Sequence, residues 1–162
     1  IGVFLFNHSI YLPGPLSLGL TYKAISTLDS MIGYKYKPFR YLGFFSAKIE
    51  DCATYIPCRL TVLTLPFVSK KVFKYSYLIE KTFTEGKKYQ SPNSGISEAI
   101  FAFISNIQLG GENTYQDKII SKPLLNCKGN KCNINSVKNI CNLIIRLECL
   151  WFIIFSFIFF IN

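Results

Sequence analysis

Between Ile140 and Ile161 the chain reads ICNLIIRLECLWFIIFSFIFFI, with Arg146 and Glu148 as its only charges. A helix needs about 20 predominantly apolar residues to cross the hydrocarbon of a bilayer. The competing reading is a core helix of a soluble domain. Such a helix must be covered on every side, and a chain of 162 residues offers little cover. The stretch therefore predicts a C-terminal transmembrane helix over about 140–161 and tilts the whole chain toward an all-α membrane fold.

Composition agrees. Half of the residues are apolar and 16% are aromatic, with a mean hydropathy of +0.29, more than a soluble domain usually carries. An AT-rich coding sequence is a second source of the many Phe and Tyr residues. The length fits one domain over 1–162. A net charge of +9 would suggest nucleic acid in a soluble protein. Here Lys70, Lys71, Lys74, Lys81, Lys87 and Lys88 crowd one stretch between apolar segments, the pattern of a loop on the cytoplasmic side of a bilayer; a solvated face is the plain alternative. The expected partner is membrane lipid and not nucleic acid. Cys52, Cys58, Cys127, Cys132, Cys141 and Cys149 form no C-x-x-C pair, and His8 is the single histidine. No metal site is expected, and reduced thiols are the simplest account.

The apolar run Ile1–Leu12 is cut by Pro13, Gly14 and Pro15 and reads as the end of a buried or spanning helix. The first residue is Ile and no cleavable leader is visible, so a piece of a longer chain is expected. From Leu16 to Met31 the period is helical: Leu20, Ala24, Leu28 and Met31 share a face, and the helix should end near Gly33. Tyr34–Gly43 reads as a link. A helix capped by Ser46 should run to about Ile56, and Pro57 should open a separate apolar stretch, Leu60–Val68. If Ala53–Val68 crosses a bilayer as a unit, Arg59 must face protein or water. A helix from Glu98 to Leu109 should stop at Gly110-Gly111. Residues 112–139 read as a loop of low order.

Four blocks are polar or glycine-rich beyond what local propensity requires. They are Tyr22–Lys35, which ends in TLDSMIGYK, Asp51–Thr61, which ends in IPCRLT, SPNSG at 91–95 and LGGENTY at 109–115. In this order they resemble the adenosylcobinamide-phosphate synthase family, CbiB or CobD, in which T-L-D-S-M-x-G-Y-K, I-P-x-R-L-T, S-P-N-[AS]-G and L-G-G-x-x-x-Y recur. The likeness covers about residues 16–117 and corresponds to the later part of a family member. It implies a polytopic helical integral membrane protein of the cell membrane, with polar site segments on amphipathic helices and loops. The implied reaction joins aminopropanol, or its O-phosphate, to a side-chain carboxyl of adenosylcobyric acid, with the corrinoid as substrate. There are departures. Glu85 stands where the family usually has Asp, Tyr89 where it has His, and Ser97 where many members have Pro.

Amide formation asks for a base at the amine, cations at any phosphate, and donors at the developing oxyanion. Asp29, Asp51 and Glu85 are the candidate catalytic acids. Local bonding to Ser26 or Ser30 is the ordinary alternative for Asp29, and solvent exposure is that for Asp51. Lys23, Arg59 and Lys87 are candidates for a phosphate, Arg59 by its two-pronged guanidinium. Ser91, Asn93, Ser94 and Gly95 open a helix whose N-terminus suits an anion, and the same geometry serves an ordinary N-cap. Gly110, Gly111, Asn113 and Tyr115 are candidates to meet the corrin. No phosphate loop is present, and neither ATP nor Mg2+ has a recognisable site. The runner-up reading is a truncated or degenerate, non-catalytic membrane protein of the same family. A small transport or scaffolding subunit is a third.

Overall fold

A computed structural model of the chain describes residues 15–33, 40–115 and 118–161. The elements are α1 (Pro15–Ile32), α2 (Arg40–Val68), a 3-10 turn (Val72–Lys74), α3 (Tyr75–Gly86), α4 (Ser94–Ser105), β1 (Leu109–Tyr115), β2 (Lys118–Leu125) and α5 (Ile134–Ile161). By internal packing they divide into two units, Ile1–Pro57 with Ile153–Asn162, and Cys58–Phe152. Helices α2 and α5 each run through the division.

In the first unit, α1 starts at Pro15, a residue suited to the first turn of a helix because its missing N–H is not needed there. It ends where Gly33 N–H donates to the Asp29 carbonyl at 2.7 Å, as its period predicts. Leu16, Leu20, Leu28 and Met31 are all exposed. The expectations placed on Ile1–Leu12, and most of the Tyr34–Gly43 link, lie outside the described residues.

The core of the second unit is built from residues at helical spacing. Cys58, Val62 and Leu65 of α2, Leu78 of α3, Ile96, Ile100 and Ile104 of α4, and Leu147 of α5 form one buried cluster. On another side of α4, Ala99 and Ala102 pack with Leu125 of β2. Large branched residues thus face the helices, and small ones let the hairpin approach. The buried face of α3 tapers along its length, Leu78, Thr82, Gly86. A Cβ on Gly86 would lie 2.7 Å from Ile96 Cα, and one on Gly95 would lie 2.3 Å from the Gly86 carbonyl oxygen. The two helices therefore meet backbone to backbone at their turn.

Four expectations are corrected. First, α2 starts at Arg40, so that Ser46 lies buried within it and does not cap it, and it continues through Pro57 as one helix to Val68. A proline inside a helix costs about 3 kcal/mol, and here the buried face Cys58–Val62–Leu65 just beyond it offsets that cost. Second, the basic stretch is no simple loop, because α3 occupies Tyr75–Gly86. Third, α4 ends at Ser105, before the glycine pair. Asn106, left-handed at φ 52, closes it with its N–H on the Ala102 and Phe103 carbonyls, and Lys71 Nζ donates to the Ile104 carbonyl at 2.6 Å, a cation at the negative end of the helix.

Fourth, the fold is mostly helical and not all-α. Residues 112–139 hold most of an antiparallel hairpin, β1 paired with β2 from Leu109↔Leu125 to Tyr115↔Lys118, and the start of α5. The register is irregular between Leu109 and Gly111. At that irregularity Gly110 has φ 90, and a Cβ there would lie 2.2 Å from the Pro123 carbonyl oxygen. Pro123, which has no N–H for a ladder, sits where the ladder is interrupted. Asn133 caps α5 by accepting Ser136 N–H at 2.8 Å.

Helix α5 is the one helix among the described residues long and apolar enough to cross a membrane, over Ile134–Ile158. The prediction from residues 140–161 stands as far as length and composition go. Its Leu143, Leu147 and Trp151 pack on the core of the second unit, while Phe152, Ile153, Phe157, Phe160 and Ile161 are exposed.

Gly95→Ala should lower stability by about 1–3 kcal/mol, the usual penalty for forcing an atom into a packed contact, read as the denaturant midpoint of the protein in detergent. Gly19→Ala, on α1 with nothing within 4 Å of its would-be Cβ, should leave the midpoint unchanged or raise it. An unchanged midpoint for Gly95→Ala would contradict the backbone contact.

Candidate functional site

The second and third sequence blocks meet at the start of α4. Arg59 Nη1 donates to Asn93 Oδ1, and Nη2 donates to the Pro92 carbonyl at 3.2 Å, joining residues 34 apart in the chain. Asn93 is buried and precedes the first helical residue, but its side chain does not cap the helix. Ser91 takes that role: its Oγ accepts Asn93 N–H and Ser94 N–H, both at 3.3 Å. Asn93 is thereby released to hold Arg59. The Arg59 guanidinium thus faces protein.

Two residues not picked out from the sequence complete this group. Cys58 is buried, and its Sγ donates to the Asn93 carbonyl at 3.4 Å. Ser97 Oγ donates to Cys58 Sγ at 3.2 Å, and Ser97 N–H donates to the same Asn93 carbonyl at 2.9 Å. A proline at 97 would have no N–H to give. Cys58 is the variable position of the I-P-x-R-L-T pattern and Ser97 a departure from the family, so neither was flagged by a motif.

Glu85 is not part of this group. Its Oε2 accepts the backbone N–H of Asn126 at 2.6 Å. Lys87 stands exposed just after α3. Ser94 is exposed and Gly95 is buried against Gly86 and Tyr89. Gly110 and Gly111 lie on β1 with positive φ. Asn113 and Tyr115 fall on the same strand; their side chains lie outside the described residues. Tyr89 donates its hydroxyl to the Pro123 carbonyl at 3.2 Å and carries Lys122 Nζ 5.9 Å above its ring. Burial, the Glu98 carboxylate and a hydrogen bond with it push the Tyr89 phenol up to about 12, so it keeps its proton at any physiological pH.

The remaining candidates lie in the first unit. Lys23 is exposed on α1. Asp29 and Asp51 are brought into electrostatic range of each other and of Glu50, a residue that no sequence block singles out. Burial first, and then the Asp51 charge, raises the Asp29 pKa. Burial, then Asp29 and Asp51, raises that of Glu50. Asp29 Oδ1 is enclosed without a hydrogen-bond partner, and Ser30 Oγ bonds to the Thr27 carbonyl instead. The signal that could have found Glu50 was its adjacency to Asp51.

A family model described as CobD/Cbib protein matches residues 5–144. The chain belongs to the CobD/Cbib family. Among curated proteins it is similar to "Cobalamin biosynthesis protein CobD" of Synechocystis sp., 54% identical over 112 residues, 69% of this chain and 32% of that protein. It is also similar to the proteins of that name from Streptococcus sanguinis, 42% identical over 117 residues, 72% of this chain and 37% of that protein, and Clostridium acetobutylicum, 35% identical over 149 residues, 90% of this chain and 46% of that protein. The chain thus spans about a third to a half of the length of these relatives. No solved structure matches. The family read from four short blocks is the family the comparisons return.

Raised carboxyl pKa values fix the sign of a pH effect. The folded state holds the protons of Asp29 and Glu50 more tightly than the unfolded chain, so the stability these two groups contribute is full below the ordinary carboxyl values and is lost as pH rises through the raised ones. Glu50→Gln should therefore raise the melting midpoint at pH 7. The gain should shrink toward zero once the pH falls below the ordinary carboxyl values of 3.8 and 4.5. Thermal unfolding of the two proteins across pH 3–8 checks this; a gain independent of pH would mean the three acids do not interact.

Proposed function

We propose that this chain is the signature-bearing part of a multi-pass membrane enzyme of cobalamin biosynthesis. In the proposed reaction the amine of aminopropanol, or of its O-phosphate, forms an amide with a side-chain carboxyl of adenosylcobyric acid, giving adenosylcobinamide or its phosphate. The amine nitrogen bonds to the carboxyl carbon, the carboxyl C–O(H) bond breaks and its hydroxyl leaves as water, and the proton that a base takes from the amine is the one that completes that water. The observation that carries this reading is the hold of Arg59 on Pro92 and Asn93, which links two of the four family blocks at the start of a helix.

A guanidinium beside a helix N-terminus suits a phosphate or carboxylate, since both present hydrogen-bond donors and positive potential. We assign the phosphate of the amine substrate to Arg59 with the Ser91–Gly95 segment. The acids of the first unit are assigned by themselves: Asp29, whose carboxyl pKa is raised, suits a base working nearer neutral pH, with Asp51 and Glu50 in electrostatic range of it. Support for the membrane comes from α5 and from the exposed apolar residues on α1.

The test is rescue of a strain lacking the synthase, given cobyric acid as its only corrinoid, by the gene that carries this chain. Growth is expected, and Asp29→Ala should abolish it. Arg59→Lys should raise the KM for the phosphorylated amine at least about tenfold, the worth of one charge-assisted hydrogen bond. A membrane-inserted protein that yields no cobinamide product overturns the enzyme reading. That outcome is the one expected of a non-catalytic family member, a second reading favoured by Tyr89, whose phenol at about 12 cannot titrate where a histidine would.

A further inference from the structure

We propose that Glu85 is a positioning residue, one whose carboxylate fixes the β1–β2 hairpin beside the Ser91–Gly95 segment by holding the backbone of Asn126. The functional half of this inference rests on the proposed synthase reading; the structural half stands without it. Glu85 lies in the last turn of α3, and its Oε2 accepts Asn126 N–H at 2.6 Å. Asn126 is itself a junction. It is buried, left-handed at φ 50, and its Nδ2 donates to the Ala102 carbonyl at 3.2 Å and the Ile107 carbonyl at 3.1 Å. One carboxylate thus joins the end of α3 to the end of β2 and, through one side-chain amide, to the end of α4.

The hairpin needs such a tie. Two strands alone are marginal in water, and the described apolar anchor of this pair is Leu125, fully buried on Ala99 and Ala102, with Leu109 beside it. The second polar tie is Tyr89 Oη on the Pro123 carbonyl, two residues before Leu125. Gly110 is caught in the same place: a Cβ on it would lie 2.2 Å from the Pro123 oxygen and 3.1 Å from Tyr89 Oη. Tyr89 in turn packs on Gly95, whose would-be Cβ lies 2.5 Å from Tyr89 Cβ. Where β2 is pinned therefore decides where Gly110 and Gly111 stand relative to the Ser91–Gly95 segment.

The chemistry of the contact separates this role from catalysis. Glu85 is used as an acceptor of an N–H, a job that the carbonyl oxygen of glutamine performs as well. A general acid or base has no such substitute. The experiment uses the full-length protein in lipid nanodiscs, with hydrogen exchange over residues 109–126 and cobinamide formation as readouts. Glu85→Ala should speed hairpin exchange and raise the KM for the corrinoid, each at least about tenfold, as expected for a lost charge-assisted bond, with exchange around Leu78 and Ile100 unchanged. Glu85→Gln should stay within about threefold of the parent in both, its neutral acceptor being the weaker partner. Loss of turnover in Glu85→Gln with hairpin protection intact overturns the proposal, as does wild-type hairpin exchange in Glu85→Ala. If Glu85→Ala opens throughout, Glu85→Gln decides alone by the same two readouts. If even the parent makes no cobinamide, the synthase reading fails and hairpin exchange still decides the tie.

Discussion

Two backbones touch at Gly86 and Gly95, and much of the second unit follows from that contact. Side chains ordinarily keep packed helix axes 8–10 Å apart. Removing them at the turn lets α3 and α4 converge, which is why the buried face of α3 narrows from Leu78 through Thr82 to Gly86. The convergence delivers the Ser91–Gly95 segment to α2, where Arg59 holds it, and sets Glu85 and Tyr89 to reach the hairpin. A methyl group at either glycine would push on backbone, which cannot move aside as a side chain can.

Much of this is legible in the sequence. The apolar period of 16–31 and the long run 140–161 gave α1 and α5 because burial and helical geometry leave few other solutions. Pro57 misled because proline is locally a helix breaker; the buried Cys58–Val62–Leu65 face that overrides it exists only in the tertiary structure. The hairpin was hidden because β2, KIISKPLL, alternates poorly and contains a proline, and because Gly110-Gly111 is as good a helix stop as it is a bulge. The glycine pair reads in sequence as the end of a helix; that end is supplied by Asn106, and the pair lies within β1 at its register irregularity.

For the candidate site, the motifs named the right neighbourhood and not its wiring. Arg59 and Asn93 were both flagged, but nothing in sequence tells that one holds the other across 34 residues. Ser91 and Asn93 exchange the roles that propensity would give them, because an N-cap can be served from two residues upstream when the nearer side chain has a stronger, charged partner. Cys58 and Ser97 carry no motif that assigns them to the site, since each is a position where the family pattern is open or broken. Glu50 needed a fold to bring Asp29 to it.

Tyr89 shows how the choice of side chain at a contact sets whether that contact responds to pH. Where the family usually carries an imidazole, a group that gains and loses a proton within the range of cellular pH, this chain has a phenol that stays protonated up to about 12 and spans from the helix turn to the second strand. A tie made with imidazole would strengthen or slacken as the surroundings turned acid. The tie made here is deaf to that signal, so of the two polar holds on the second strand the one from Tyr89 has a single setting.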